Sequence, residues 1–124
     1  MSIDIDIYGP GRDISAQATA DVIGGRAVAI SGNRVSGGNL AVAPAPAGAR
    51  IFGIAKHDAA TGGLVSVTRG NSRVVRVRAG GAIAANAEVE VGSAGQVITK
   101  ASGVAVGFAV TGAASGTDAQ ISLY

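Results

Sequence analysis

Residues 53–67, GIAKHDAATGGLVSV, and residues 107–123, GFAVTGAASGTDAQISL, run in parallel through the chain. In a register without gaps Gly53 falls on Gly107, Ile54 on Phe108, Ala55 on Ala109, the turn Asp58–Gly62 on Gly112–Gly116, and Val67 on Ile121. A fainter echo precedes each copy: GGRAVAISGNRV (24–35) and ANAEVEVGSAGQV (85–97) both present an alternating strand, a turn rich in Gly, Asn or Ser, and a short strand restart. Two copies are too few for a solenoid, which needs about three stacked units to bury a continuous core. The repeat therefore predicts two related halves, about residues 20–69 and 80–124, that close one small β-barrel or sandwich.

The rest of the chain agrees with an all-β class. Short β-branched runs bounded by Gly, Asn, Ser or Asp predict strands at 27–30, 40–42, 50–55, 64–68, 73–78, 87–91, 96–100, 104–110 and 119–124. Strands this short at regular spacing are the signature of a barrel or sandwich. No window sustains a helical period. The best helical candidate, DISAQATAD (13–21), reads equally as an extended polar segment, and APAPAGA (43–49) reads as a polyproline-like surface loop.

Upstream of the repeat, IDIDIY (3–8) alternates strictly, with Ile3, Ile5 and Ile7 on one side and Asp4, Asp6 and Tyr8 on the other. GPG (9–11) then breaks the chain. The expected organisation is an N-terminal arm over residues 1–12 and a single β domain over 13–124. The arm is either an edge strand packed on its own domain or a strand offered to a neighbouring molecule, whose sheet edge it would extend.

Composition narrows the function classes. At 124 residues there is room for one domain and one core. Glycine supplies 20 residues, about twice its ordinary share of roughly 7%, and punctuates turns. With two Phe, two Tyr and no Trp, the core must be filled by Val, Ile, Leu and Ala. Such a core is thin, which favours stabilisation within a larger assembly. The absence of cysteine excludes a disulfide framework, a thiolate nucleophile and a cysteine-ligated metal. No stretch approaches the roughly 18 apolar residues of a membrane helix, and the N-terminus lacks the basic and apolar regions of a signal peptide, so no membrane is expected and synthesis is expected in the cytoplasm.

The net charge is only +2, but Arg69, Arg73, Arg76 and Arg78 cluster. In a strand Val74, Arg76 and Arg78 share one face while Val75 and Val77 share the other. A solvated arginine face is the ordinary use of such a pattern. The alternative is contact with an acidic protein surface. No aromatic residue is interleaved to stack on bases, so direct nucleic-acid binding is not expected.

Chemistry is hard to find. His57 and Asp58 are adjacent, but neighbours in a strand point to opposite faces, and the second copy replaces them with Thr111 and Gly112. One histidine without cysteine makes no recognisable zinc site. Glu88 and Glu90 share a strand face about 6.5–7 Å apart, a spacing that overlaps that of inverting glycosidases, without the aromatic platforms such a cleft requires. No phosphate loop, nucleophile elbow or dinucleotide fingerprint occurs. No enzyme, catalytic residue, metal or cofactor is expected.

The twin blocks of glycine, hydrophobic residue and alanine, each followed by AATG or AASG, and the step GAIAAN (81–86) resemble the capsid cement or head decoration proteins of tailed bacteriophages, over about residues 20–124. The resemblance implies a structural virion protein, made in the host cytoplasm, that binds the major capsid protein on the outer surface of an icosahedral shell. It also implies a homotrimer that bridges capsomers. Ile3, Ile5, Ile7 and Tyr8 are the expected capsid or intersubunit contact, with Arg73, Arg76 and Arg78 second. A carbohydrate-binding or adhesion module is the alternative, and the scarcity of aromatic residues counts against it.

Overall fold

The computed structural model describes residues 7–8, 11–71 and 73–124. The described residues form ten strands and one short 3-10 turn (Ser93–Gly95). In chain order the strands are β1 (Asp13–Ala18), β2 (Ala27–Gly32), β3 (Leu40–Pro44), β4 (Gly53–Ala55), β5 (Leu64–Thr68), β6 (Val74–Arg78), β7 (Glu88–Val91), β8 (Val97–Thr99), β9 (Gly107–Ala109) and β10 (Asp118–Leu123). The nine runs expected to be strands are β2 to β10. The helical candidate at 13–21 is instead β1. Its Ile14, Ala16 and Ala18 alternate inward, and it is paired along both edges, parallel to β3 and antiparallel to β5. Alanines that favour a helix in isolation serve here because the barrel interior is too narrow for more; Ala16 is fully buried.

The all-β class, the barrel and the two related halves stand as read from the sequence. The manner in which the halves combine differs from the expectation of one shared barrel. β1, β3, β2, β4 and β5 close a five-stranded barrel by themselves, while β6, β10, β9, β7 and β8 form a second five-stranded sheet. The pairing scheme is the same in both. β1–β5 corresponds to β6–β10, β2–β3 to β7–β8, and β2–β4 to β7–β9, every one antiparallel.

The correspondence extends to single hydrogen bonds. Ala18 donates to the Gly63 carbonyl at 2.9 Å as Ala79 donates to Thr117 at 2.8 Å, and Val22 exchanges bonds with Ala59 as Ile83 does with Ala113. Gly25 donates to Ala55 as Asn86 donates to Ala109, and both adopt the left-handed conformation, at φ 77° and 69°. The equivalence thus begins upstream of the visible echo, at β1 and β6. It also realigns the strand restart: Val97 answers Val42 in β3 rather than Val35, since Thr19 donates to Val42 as Gly80 donates to Val97.

The halves differ at the closing seam. β1 and β3 pair in parallel over Ala16–Leu40, Gln17–Ala41 and Ala18–Val42. β8 is only three residues long, so the matching seam shrinks to one parallel bridge, Ala79–Val97. The first half fills the side left open. Its Ala27, Ala45 and Ile54 join Val77, Val89, Val97, Ile121 and Leu123 in one buried cluster, whereas the closed barrel keeps a separate interior of Ala16, Val22, Val28, Val42, Val65 and Val67. Backbone bonds sew the junction: Arg78 donates to Gly25 at 2.9 Å and Gly48 to Val91 at 2.8 Å.

Candidate interaction surface

Among the described residues β6 is an edge strand, paired with β10 alone. Its alternation is as expected: Val74, Arg76 and Arg78 are exposed and Val77 is buried. Three of the four arginines of the cluster, those at 73, 76 and 78, have different fates. Arg73, just before β6, is turned back onto the first half, where its guanidinium donates to Asp13 at 3.0 Å and to the Thr68 hydroxyl at 2.6 Å. Arg78 donates to Asp118 at 3.0 Å and to the Gly116 carbonyl at 3.1 Å. Arg76 has no side-chain partner among the described residues. It lines a groove of about 650 Å³ between the halves, with Ala55, Lys56, Thr68, Val74 and Val75.

Asp13 is the anionic centre of this region. Partial loss of water raises its carboxyl pKa, but the hydrogen bond from Arg73 and the charges of Arg73 and Lys56, the latter 3.6 Å away, outweigh that and hold it below the usual carboxylate value. At the far edge of the outer face, the Tyr124 hydroxyl donates to Glu88 at 2.7 Å, and its ring lies tilted on Phe108 with centroids 6.2 Å apart. The bond to Glu88, reinforced by partial desolvation and the carboxylate charge, raises the phenol above its ordinary value.

Of the predicted arm contacts, Ile3 and Ile5 lie outside the described residues. Ile7 is exposed. Tyr8 accepts a hydrogen bond from Arg34 at 3.1 Å, and the same guanidinium sits 5.8 Å from its ring centre. Arg34, in the β2–β3 connection, was not singled out from sequence; nothing in the local pattern links residues so far apart in the chain.

The residues weighed for catalysis hold other parts of the fold instead, three of them through backbone groups. His57 Nε2 accepts the Ser66 amide proton at 3.2 Å, which places the ring proton on Nδ1, 2.9 Å from the Asp58 carbonyl. Asp58 in turn accepts the Gly24 amide at 2.7 Å. Glu90 is buried and accepts the Ala101 amide, while Glu88 takes the Tyr124 hydroxyl. Each carboxylate is used to fix a loop or a terminus.

The model for phage cement proteins matches residues 9–123. The chain belongs to the phage cement protein family. Cement proteins are structural components of the phage particle at the capsid surface, and not enzymes. The fold of this cement protein is also that of the N base of head fiber gp8.5 of bacteriophage phi29. That structure matches with a TM-score of 0.77 at 20% identity, over 90% of this chain and 92% of the other. No curated protein matches the sequence. The cement-protein match begins at residue 9 and so leaves Ile3, Ile5, Ile7 and Tyr8 upstream of it.

Proposed function

We propose that this cement protein binds the outer surface of an icosahedral phage shell as a homotrimer, contacts the major capsid protein and bridges neighbouring capsomers. Family membership carries the reading. The head fiber base of phi29, a component of a phage head by its name, supports it through a shared fold. A thin core of Val, Ile and Ala suits a part that gains stability from its assembly, and multivalent attachment lets weak contacts hold firmly, because each contact after the first is effectively intramolecular.

The N-terminal segment with Ile3, Ile5, Ile7 and Tyr8 is the first contact, and the outer face of β6 with Arg76 and Arg78 is the second. Arg73 contributes indirectly, by holding Asp13 and Thr68. Co-sedimentation with expanded, empty shells tests this: binding should saturate at a stoichiometry set by the lattice. Removal of residues 2–8 should abolish decoration and leave the domain folded; full decoration by the truncated protein would overturn the assignment.

A further inference from the structure

In the antiparallel β6–β10 ladder, Leu123 donates to Arg73 at one end and Ala79 to Thr117 just before β10 at the other, so Val75 and Val77 between them direct their backbone groups to β10. Residues 74, 76 and 78 therefore direct theirs to the opposite side. The Arg78 amide is taken by Gly25. The amides and carbonyls of Val74 and Arg76 have no backbone partner among the described residues. In the first half β3 pairs with Ala16, Gln17 and Ala18 of β1, the equivalents of Val77, Arg78 and Ala79; here β8 is so short that only the Ala79–Val97 bridge remains.

We propose that this edge is a receptor for the N-terminal segment of a second copy of the chain, residues 3–7, added as a strand in the groove beside β6. The proposal deepens the contact role given above to that segment and rests on it. Strand addition satisfies the open backbone groups, and alternate side chains decide the fit. The pattern of the guest matches that of the host. On β6 the outer face carries Arg76 and Arg78, while the inner face carries Val75, with Ile54 at the groove floor. A strand reading Ile-Asp-Ile-Asp-Ile places Ile3, Ile5 and Ile7 inward against Val75 and Ile54. Asp4 and Asp6 then lie outward, beside Arg76 and within reach of Lys56. Both cations line the groove, and no acidic side chain among the described residues does. A second copy is the donor because the homotrimer proposed above brings one alongside; Ile7 and Tyr8 of the same chain line a cavity with Arg73, so closure within one molecule is the outcome the experiment separates from it.

The chain has no cysteine, so a single Ser2→Cys variant of the full chain takes one nitroxide label. Mixed with unlabelled, nitrogen-15-enriched wild-type chain at up to about 1 mM, the order of concentration that a shared scaffold imposes, the label should broaden the amide signals of Val74 and Arg76 between molecules. Arg76→Glu should weaken the effect about fivefold, as expected for reversing one partly exposed charge among opposite ones, and Asp4→Lys with Asp6→Lys in the labelled partner should restore it. Broadening only when label and isotope share one molecule would show a chain closing on itself and overturn the proposal. So would no broadening at these amides in either arrangement, or broadening indifferent to both charge changes. Loss of shell binding on deletion of residues 2–8 is a separate readout, so failure here leaves that reading standing.

Discussion

At Gly53 and Gly107 there is no room for a methyl group. A Cβ on Gly53 would meet the Thr68 carbonyl oxygen and stand 2.6 Å from Val67 Cγ1; on Gly107 it would meet the Ser122 carbonyl and stand 2.7 Å from Ile121 Cγ2. Both φ values are ordinary, so the constraint is the approach of the partner strand. Gly53→Ala and Gly107→Ala should each cost about 2–3 kcal/mol by urea unfolding, and by similar amounts, because the sites are equivalent. Asp13 supplies a second test. Its folded pKa lies below the ordinary 3.8, so the unfolded chain binds more protons in this range. The stabilisation is complete above the ordinary value and is lost as pH falls through the folded one. Arg73→Gln should therefore flatten the fall of the urea midpoint on the acid side of about pH 4. A residual slope should remain, since Asp21 is held low independently by its hydrogen bonds from the Thr61 amide and hydroxyl.

Among the elements, β1 and β6 occupy the same place in the two halves yet carry different interiors. Ala16 opposes Val65 on β5, where Val77 opposes Ala119 on β10. A closed seam leaves space for the methyl of Ala16 and no more, so Ala16→Val should destabilise by about 1–3 kcal/mol in denaturant titration. The same contrast explains what was legible in the sequence. Strands built of Val and Ile announced themselves through β-branching and period two. β1 did not, because the inward residues of a narrow barrel are small and alanine carries little strand preference. The face shared by Val74, Arg76 and Arg78 was readable from alternation alone. That Arg73 turns inward to Asp13, or that Tyr8 rests on Arg34, was not, since those pairings depend on how separate strands come together.

Across the whole molecule, duplication yields one closed barrel and one sheet that borrows its missing wall. The repeated glycines and AATG and AASG turns showed the duplication; the length of β8, which decides that only one copy closes, carries no such mark in the sequence. The shared cluster around Ile54 should make unfolding a single event. Ile54→Ala should lower stability by about 2–5 kcal/mol while calorimetry still shows one transition for both halves. The unequal seams also bear on how the chain is born. Domains fold as units as they leave the ribosome, N-terminal first. Here the self-sufficient copy is translated before the dependent one, so the wall exists before the sheet that leans on it. A circular permutant translated in the reverse order would hold Val77, Val89 and Ile121 bare on the nascent chain until the wall arrived, with aggregation as the competing fate.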